Sequence, residues 1–287
     1  MKIALTLLLL LGAAQARAQV QVDLKLPRLQ FIAYEPVVAT LGITNLAGRD
    51  IELHDADGET WFGFEVTGSQ GQSIGPIKPL AQPPLKIAAG QHVTQKINLT
   101  PLFQVQDYGA YHVRAHIYFP DLGKYFYSQA KVFEVTDARA IWQQTVGMPE
   151  GAGPGNARTY SLMTNRFPDH TSLYVRVANK DTGVVYATYS LGHLILYDEP
   201  KVQIDKTNQL HVLHCSAPRT WSYSVIGLNG ELVSHATYME TKSRPRLLPT
   251  ADGMVAVRGG MAELPAAAAD AKSAPVPKLS DRPPNDE

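Results

Sequence analysis

The sequence predicts an all-β protein of two domains that follow an export signal. Apolar and polar side chains alternate along many short segments, which is the period of half-buried strands. Turn-forming residues separate these segments at intervals of about ten residues. In the second half of the chain a unit of roughly 45–50 residues occurs twice. No apolar stretch after the leader has the length of a membrane-spanning helix.

The first eighteen residues have the pattern of a cleaved secretory signal. Lys2 supplies positive charge, an apolar run follows from Ile3 to Ala14, and Ala16-Arg17-Ala18 has the small-x-small pattern of a cleavage site. A run of about a dozen apolar residues is too short to span a bilayer, which takes about 20. We therefore expect an exported protein, periplasmic or extracellular, whose mature chain begins at Gln19.

The charge balance and the cysteine content argue against a nucleic-acid partner and exclude an internal disulfide. The leader holds two of the 26 basic residues, so 24 remain against 26 acidic ones, and a nucleic-acid partner is not expected. Cys215 is the single cysteine, so an internal disulfide is impossible and the cores must hold by packing. The sequence has no nucleophile elbow, phosphate-binding loop or zinc-protease motif, and we expect no cofactor.

Residues 19–138 alternate in the manner of a sandwich of short strands. The segments Val38–Asn45, Phe62–Val66 and Val93–Leu99 each show period two. The clearest alternation places Tyr111, Val113, Ala115, Ile117 and Phe119 on one side of a strand. The turn-forming run Pro120-Asp121-Leu122-Gly123 then predicts a hairpin.

A resemblance makes this prediction more specific. Asp107-Tyr108-Gly109-Ala110-Tyr111 resembles the D-x-G-x-Y corner of immunoglobulin-like domains, and Glu35–Asn45 resembles a strand and turn of their bacterial members. The resemblance implies an immunoglobulin-like β-sandwich, in which the Tyr111 hydroxyl bonds to the backbone just upstream. Val113 stands where the second cysteine of that family would be, so the family's disulfide is absent.

The second half of the chain contains an internal repeat. Ala187-Thr188-Tyr189 recurs as Ala236-Thr237-Tyr238, and Pro200-Lys201-Val202 is matched by Pro245-Arg246-Leu247. We assign residues 139–155, rich in glycine and proline, to a linker, residues 156–261 to two β repeats, and residues 262–287 to a disordered Ala/Pro-rich tail.

Each repeat unit resembles a β-propeller blade, whose length is about 40–50 residues. A closed propeller takes about four or more blades, and this chain supplies two. Two arrangements follow from the resemblance. Either the two blade-like repeats pack as a double sheet docked on the first domain, or several chains assemble to complete a ring.

Strand parity in the first domain predicts an outward aromatic surface. If Tyr111 and Phe62 face the core, their alternating neighbours face solvent on adjacent strands. The predicted binding residues are Trp61, Glu65, His112, Arg114, His116, Tyr118, Tyr125 and Tyr127, with Lys131 extending the surface. Exposed aromatic and arginine side chains are typical of binding hot spots. The alternative is that this surface packs against the second domain, with Glu65 and Arg114 as a cross-strand ion pair.

Two other groups of residues resemble functional sites, a calcium loop and a metal or thiol site, but we expect both to have structural roles. His54-Asp55-Ala56-Asp57-Gly58-Glu59 resembles part of a calcium loop, but Asp-Gly also favours a tight turn, which we expect here. The second group lies on one predicted strand and comprises His211, His214 and Cys215. Strand alternation points His214 away from the other two side chains. We therefore expect neither a metal site nor a thiol nucleophile, and Cys215 is expected to be a buried apolar residue.

The function expected from these patterns is a non-enzymatic, exported module that binds a protein of the cell envelope or the extracellular space. The alternative is a carbohydrate-binding module that uses the same aromatic residues to bind a glycan. A weaker alternative is a hydrolase with its site in the interdomain cleft. The sequence leaves the oligomeric state open.

Overall fold

The computed structural model of the chain describes residues 19–80, 82–148 and 157–263. The predicted leader, residues 1–18, lies outside the described residues, as do residues 149–155 of the predicted linker and residues 264–287 of the predicted tail. Within the described ranges the regular structure is almost entirely strand, with one turn of 3-10 helix, which confirms the all-β prediction. No helix of these ranges has the length and apolar character needed to cross a membrane.

Eleven strands lie in the described part of residues 19–138, which we call the first domain. They are β1 (Val20–Lys25), β2 (Gln30–Ile32), β3 (Val38–Asn45), β4 (Ile51–Leu53), β5 (Phe62–Thr67), β6 (Ser73–Ile74), β7 (Leu85–Ile87), β8 (His92–Asn98), β9 (Gly109–Phe119), β10 (Lys124–Tyr127) and β11 (Lys131–Thr136). The 3-10 turn, Pro120–Leu122, joins β9 to β10 and ends at Gly123 in the left-handed conformation, so the predicted hairpin is present.

These strands form two larger sheets around one core. One sheet has the order β1-β3-β8, and the other has the order β2-β11-β9-β5-β6 with β10 also paired to β9. Strands β4 and β7 make a separate pair. All pairings are antiparallel except that of β2 with β11. Leu41 of β3 and Ile117 of β9 belong to the same buried cluster, so the inner faces of the two sheets meet, an arrangement compatible with a β-sandwich.

The alternation along β9 follows the prediction. Tyr111, Val113 and Ala115 are buried, while His112 and Arg114 are exposed. The hydroxyl of Tyr111 donates a hydrogen bond of 2.8 Å to the backbone carbonyl of Asp107, which is the bond expected of a tyrosine corner. Because this bond joins the start of β9 to the loop before it, it restrains the crossover into the strand.

Eleven more strands lie in residues 139–148 and 157–263, which we call the second domain. They are β12 (Arg139–Val146), β13 (Arg158–Arg166), β14 (Thr171–Asn179), β15 (Val185–His193), β16 (Lys201–Ile204), β17 (Leu210–Ala217), β18 (Thr220–Ile226), β19 (Leu232–Met239), β20 (Arg246–Pro249), β21 (Val255–Arg258) and β22 (Met261–Glu263). The sheets have the orders β12-β13-β14-β15, β16-β17-β18-β19-β22 and β20-β21.

Two predicted boundaries are wrong. The predicted linker, residues 139–155, begins with a strand, because residues 139–146 form β12 and pair with β13. Their side chains are mostly exposed, because β12 is an edge strand with little apolar alternation to mark it. Ala262 and Glu263 were assigned to the tail, but they belong to β22 and pair with Tyr238 and Thr237 of β19.

The sheets of the second domain stack in layers, and the stack docks on the first domain. Leu162 of the first sheet and Val212 of the second share one cluster. On its other face the second sheet packs Trp221 against Leu247 of the β20–β21 hairpin. Ile32, Ala138, Met163 and Tyr174 form a small cluster between the two domains. Among the described residues, the sheets of the second domain therefore pack on one another, and the first of them contacts the first domain.

Candidate functional site

Six of the predicted binding residues lie together on the outer side of the β5–β9–β10 sheet. We call this surface the β9 face, and it comprises Glu65, His112, Arg114, His116, Tyr125 and Tyr127. The strand register explains the grouping, because Glu65 pairs with Arg114 and Tyr127 pairs with His116. Cross-strand partners on one face of a sheet have Cβ atoms about 5 Å apart, so their side chains meet.

Arg114 is at the centre of the β9 face. Its guanidinium forms an ion pair of 2.6 Å with Glu65, and it lies 4.5 Å from the centre of the Tyr127 ring. Both charged side chains are more than two-fifths exposed, so water screens the pair and it adds little to stability. The pair and the cation–π contact instead hold the guanidinium in one orientation at the surface.

His116 occupies a notch that a glycine provides. A Cβ atom on Gly63, the residue opposite, would lie 2.3 Å from Nε2 of His116, so only glycine leaves room for the ring in this position. The imidazole also meets the Tyr125 ring edge to face, with 5.3 Å between centroids. Burial lowers the pKa of His116, and the nearby charge of Arg114 lowers it further while Glu65 opposes this. The ring is therefore mostly neutral at neutral pH.

The predicted tight turn covers one end of the β9 face. Ala56 and Glu59 exchange backbone hydrogen bonds around Asp57 and Gly58, both of which have positive φ. The Asp57 carboxylate accepts a hydrogen bond of 2.9 Å from Tyr118, and the Glu59 carboxylate accepts one from Tyr125. Burial and the bond to Glu59 raise the pKa of Tyr125 to about 12. These carboxylates fasten the turn to the sheet.

The outward placement of Trp61 is wrong. Trp61 is 1% exposed, and its indole Nε1 donates a hydrogen bond of 3.1 Å to the carbonyl of Gln82. It precedes β5 and follows the tight turn, whose Asp55 accepts its backbone N–H at 2.9 Å. Strand alternation therefore does not extend to this residue, and its ring joins the core beside Phe62.

Two further placements need correction. Tyr118 lies on the predicted side of β9, but it is only 5% exposed because the turn and the Tyr125 ring cover it. Lys131 pairs with the core residue Val113, so it does not extend the β9 face. Val132 pairs with His112 and takes that position, where it is exposed.

The two domains meet at a different surface, through two arginines. Arg28 forms an ion pair with the buried carboxylate of Glu35 and donates a hydrogen bond of 2.8 Å to the hydroxyl of Tyr174. Burial raises the pKa of Glu35, and the charge of Arg28 opposes this effect. Arg176 donates a bond of 2.7 Å to the carbonyl of Ala33. The β9 face is therefore not the surface that packs on the second domain.

His211, His214 and Cys215 do not converge. His211 contacts the Asp205 carboxylate at 3.0 Å and the Tyr223 hydroxyl at 2.7 Å. Burial raises the pKa of Asp205, but hydrogen bonds from His211 and other donors outweigh this and leave it below its usual value. This carboxylate is therefore ionised and accepts a hydrogen bond from the Nε2–H of His211.

His214 points to the other side of the same strand. Burial lowers the pKa of His214 to about 4. The Cys215 thiol is fully buried and lies 3.2 Å from the carbonyl of Ala217. Across the described ranges, no three or more His, Cys, Asp or Glu side chains are placed to hold a metal ion.

The second domain contains a cleft that no sequence pattern predicts. Its two adjoining lobes, of about 620 and 720 Å³, lie along the edge strands β12, β16 and β20. Both lobes are lined by Trp142, Asp198, Glu199, Pro200 and Val202. We call this feature the second-domain cleft. The one sequence signal was a tryptophan in a segment assigned to a linker, because the cleft arises only when three sheet edges meet.

An ion-pair network forms one wall of the second-domain cleft. Asp198 accepts from Lys201 and from Arg244, each at 3.1 Å. The Arg244 guanidinium also lies 5.4 Å from the centre of the buried Trp221 ring, whose Nε1 donates to Glu240 at 3.3 Å. These contacts fix the wall between β16 and the segment that leads into β20.

No protein-family model matches the chain, and no curated protein matches it.

Proposed function

We propose that the chain is an exported, non-enzymatic binding module that contacts a protein partner through the β9 face. The observation that carries this proposal is the Arg114 cluster: an exposed guanidinium is held between Glu65 and the Tyr127 ring, on a surface away from the interdomain contact. Arginine and tyrosine are enriched among residues that dominate binding energy, because they bury large areas at low entropic cost.

A depression beside the cluster favours the same surface. A hollow of about 270 Å³ is bordered by Glu65, Thr67, His112, Arg114 and Ala130. A partner side chain placed in this hollow would contact the guanidinium directly. The hollow is shallow and open. Small-molecule ligands are usually enclosed by their sites, so this shape is better suited to binding the surface of another protein.

In this proposal the first domain is an immunoglobulin-like sandwich. The order β2-β11-β9-β5-β6 opposite β1-β3-β8, the parallel pairing of β2 with β11 and the Tyr111–Asp107 bond support that assignment. The second domain is proposed to be a stack of blade-like sheets. The recurring Ala-Thr-Tyr lies on the fourth strand of both sheets, β15 and β19, which supports two equivalent units.

A second sequence match supports the same two units. Pro200-Lys201-Val202 leads into β16, and the matching Pro245-Arg246-Leu247 leads into β20. Export is proposed from the leader, Met1–Ala18, and is tested by comparing the cellular location of the full chain with that of a chain lacking the leader.

The binding proposal is tested by site-specific photo-crosslinking in the host. A photoreactive residue at His112, at the edge of the cluster, is expected to capture a protein partner, whereas one at the exposed Lys96 of β8 is not. The pair of changes Arg114→Gln and Tyr127→Ala should abolish the adduct while thermal unfolding stays close to that of the unchanged protein. Equal adducts at both positions, or an adduct that survives the two changes, would contradict the proposal.

A glycan ligand is the second candidate, and one observation favours it. The rings of Tyr125 and Tyr127 lie side by side, 6.1 Å apart, and Tyr127 is 45% exposed. The burial of Trp61 removes the largest ring from this surface, which weakens the candidate. Binding on a glycan array that Tyr127→Ala abolishes would favour a carbohydrate module, and an array without signal would remove it.

The hydrolase alternative placed its site in the interdomain cleft, and at that surface Arg28 bonds to both Glu35 and Tyr174. Labelling of the protein by serine-directed or thiol-directed activity probes would contradict a non-enzymatic function.

A further inference from the structure

The second-domain cleft combines three features that together define a ligand class. The first is its backbone. Strands β12, β16 and β20 each lie at the edge of a sheet, and each borders the cleft. An edge strand presents N–H and C=O groups that its own sheet does not pair. An extended chain lying in the cleft can form main-chain hydrogen bonds with such an edge.

The second feature is a set of exposed apolar side chains. Trp142 is partly exposed where the two lobes join, while Trp61 and Trp221 are each 1% exposed. Ile141 and Leu196 line one lobe and Leu248 lines the other, with exposures of 43%, 70% and 47%. Aliphatic side chains of this kind match the side chains of a peptide, whereas sugars pack on aromatic rings. The apolar lining therefore favours a peptide over a glycan.

The third feature is unbalanced positive charge. Five basic and three acidic residues line the cleft, but Asp198 already pairs with Lys201 and Arg244. The remaining basic residues, Arg139, Arg166 and Arg246, have no carboxylate within 4.0 Å among the described residues.

The remaining acids do not cancel this excess. Asp137 accepts hydrogen bonds from Tyr108 and from the backbone N–H of Ala138 and keeps its negative charge, and Glu199 has no ion-pair partner in the described structure. Arg246 also pairs directly with Arg258 across the hairpin, and like charges in that position repel. An anionic group beside Arg246 would relieve this repulsion.

We propose that the second-domain cleft binds an extended, acidic segment of a partner protein, with apolar side chains of the segment against Trp142 and carboxylates against Arg139 and Arg246. Arginine recognises carboxylates through two parallel hydrogen bonds, which gives this pairing its specificity. The site is separate from the β9 face and does not depend on the function proposed for that surface.

The test uses the full mature chain and a phage library of random short peptides. Selected peptides are expected to be enriched in aspartate, glutamate and apolar residues. A synthetic copy of a selected peptide is then titrated while tryptophan fluorescence is recorded. Trp142 is the one tryptophan of the three with appreciable exposure. Peptide binding should therefore change its fluorescence emission and its quenching by acrylamide. Trp142→Phe should remove this fluorescence change.

The charge contribution is measured with matched variants. Arg139→Gln and Arg246→Gln are each expected to lower the affinity for the peptide about tenfold. Added salt should also lower the affinity of the unchanged protein. Lys180→Gln removes one positive charge from an exposed turn outside the cleft lining and should leave the affinity unchanged. Arg114→Gln on the β9 face should also leave it unchanged, which separates this test from the test of the proposed function.

Several results would overturn the proposal. Selected peptides without acidic enrichment, or affinities that neither arginine change alters, would exclude an acidic ligand. A dimer in sedimentation that Arg139→Gln dissociates would assign the cleft to a second copy of the chain. Peptide binding that appears only after residues 264–287 are deleted would assign the cleft to the chain's own C-terminal segment.

Discussion

The burial of His214 makes the stability of the second domain depend on pH. His214 lies on β17 with its ring fully buried, and its pKa falls from 6.5 to about 4 on folding because burial disfavours the charged form. Between these values the unfolded chain binds a proton that the folded chain does not. The free energy of unfolding is therefore unaffected by titration of His214 well above pH 6.5, and it decreases as the pH falls from 6.5 toward about 4.

The size of this effect follows from the two pKa values. At about 1.4 kcal/mol for each unit of pKa, the difference between 6.5 and about 4 amounts to about 3 kcal/mol. His214→Leu removes the titrating group and replaces it with an apolar side chain of similar size. The variant should therefore lose about 3 kcal/mol less of its unfolding free energy than the unchanged protein between neutral pH and about pH 4.

The measurement is urea unfolding at a series of pH values, and the quantity compared is the difference between the two stability curves. Other titrating groups, among them His116 and Asp205, are common to both proteins and cancel in that difference. A control variant, His112→Gln, removes an exposed imidazole from the first domain and is measured in the same way. Parallel curves for His214→Leu and the unchanged protein would refute the reasoning, since they would mean that His214 is not buried as a neutral group.

Three further changes test other parts of the structure. Tyr111→Phe removes the hydroxyl that bonds to Asp107, and the unfolding free energy measured in urea should fall by about 1 kcal/mol; no change would mean that the corner bond is not maintained. Trp61→Ala removes a fully buried ring and should lower thermal stability by about 3–5 kcal/mol, whereas near-wild-type stability would place the ring outside the core. Arg28→Met leaves Glu35 buried without its ion-pair partner and should cost about 3 kcal/mol at neutral pH; because protonation neutralises Glu35, this deficit should shrink as the pH is lowered, and a deficit independent of pH would contradict the assignment.

The β9 face could be predicted in part because strand alternation is local. His112 and Arg114 lie where period two places them, since successive side chains of any strand point to opposite sides. The same rule failed for Trp61, which stands outside the strand and whose backbone is held by Asp55 of the preceding turn. It also misjudged the exposure of Tyr118, because parity assigns a side of the sheet but not what covers it.

The second domain shows the same limit on a larger scale. The repeat of Ala-Thr-Tyr indicated two equivalent units, and both copies occupy the fourth strand of a sheet. Nothing in the sequence marked β12, because an edge strand with mostly exposed side chains lacks the apolar period of a central strand. With β12 assigned to a linker, the second-domain cleft could not be anticipated, since it borders that strand.

The sequence by itself determined the all-β class, the outward and inward sides of β9, the tight turn at Asp57-Gly58 and the divergence of His214 from Cys215. Each of these depends on a few neighbouring residues, and local sterics and hydrogen bonding are sufficient to decide them. Only the tertiary structure decided that Leu210–Ala217 is covered on both faces, that Trp61 belongs to the core and that three sheet edges enclose a basic cleft. These features arise when surfaces far apart in the chain come into contact, and packing between sheets leaves no periodic signal in any one segment.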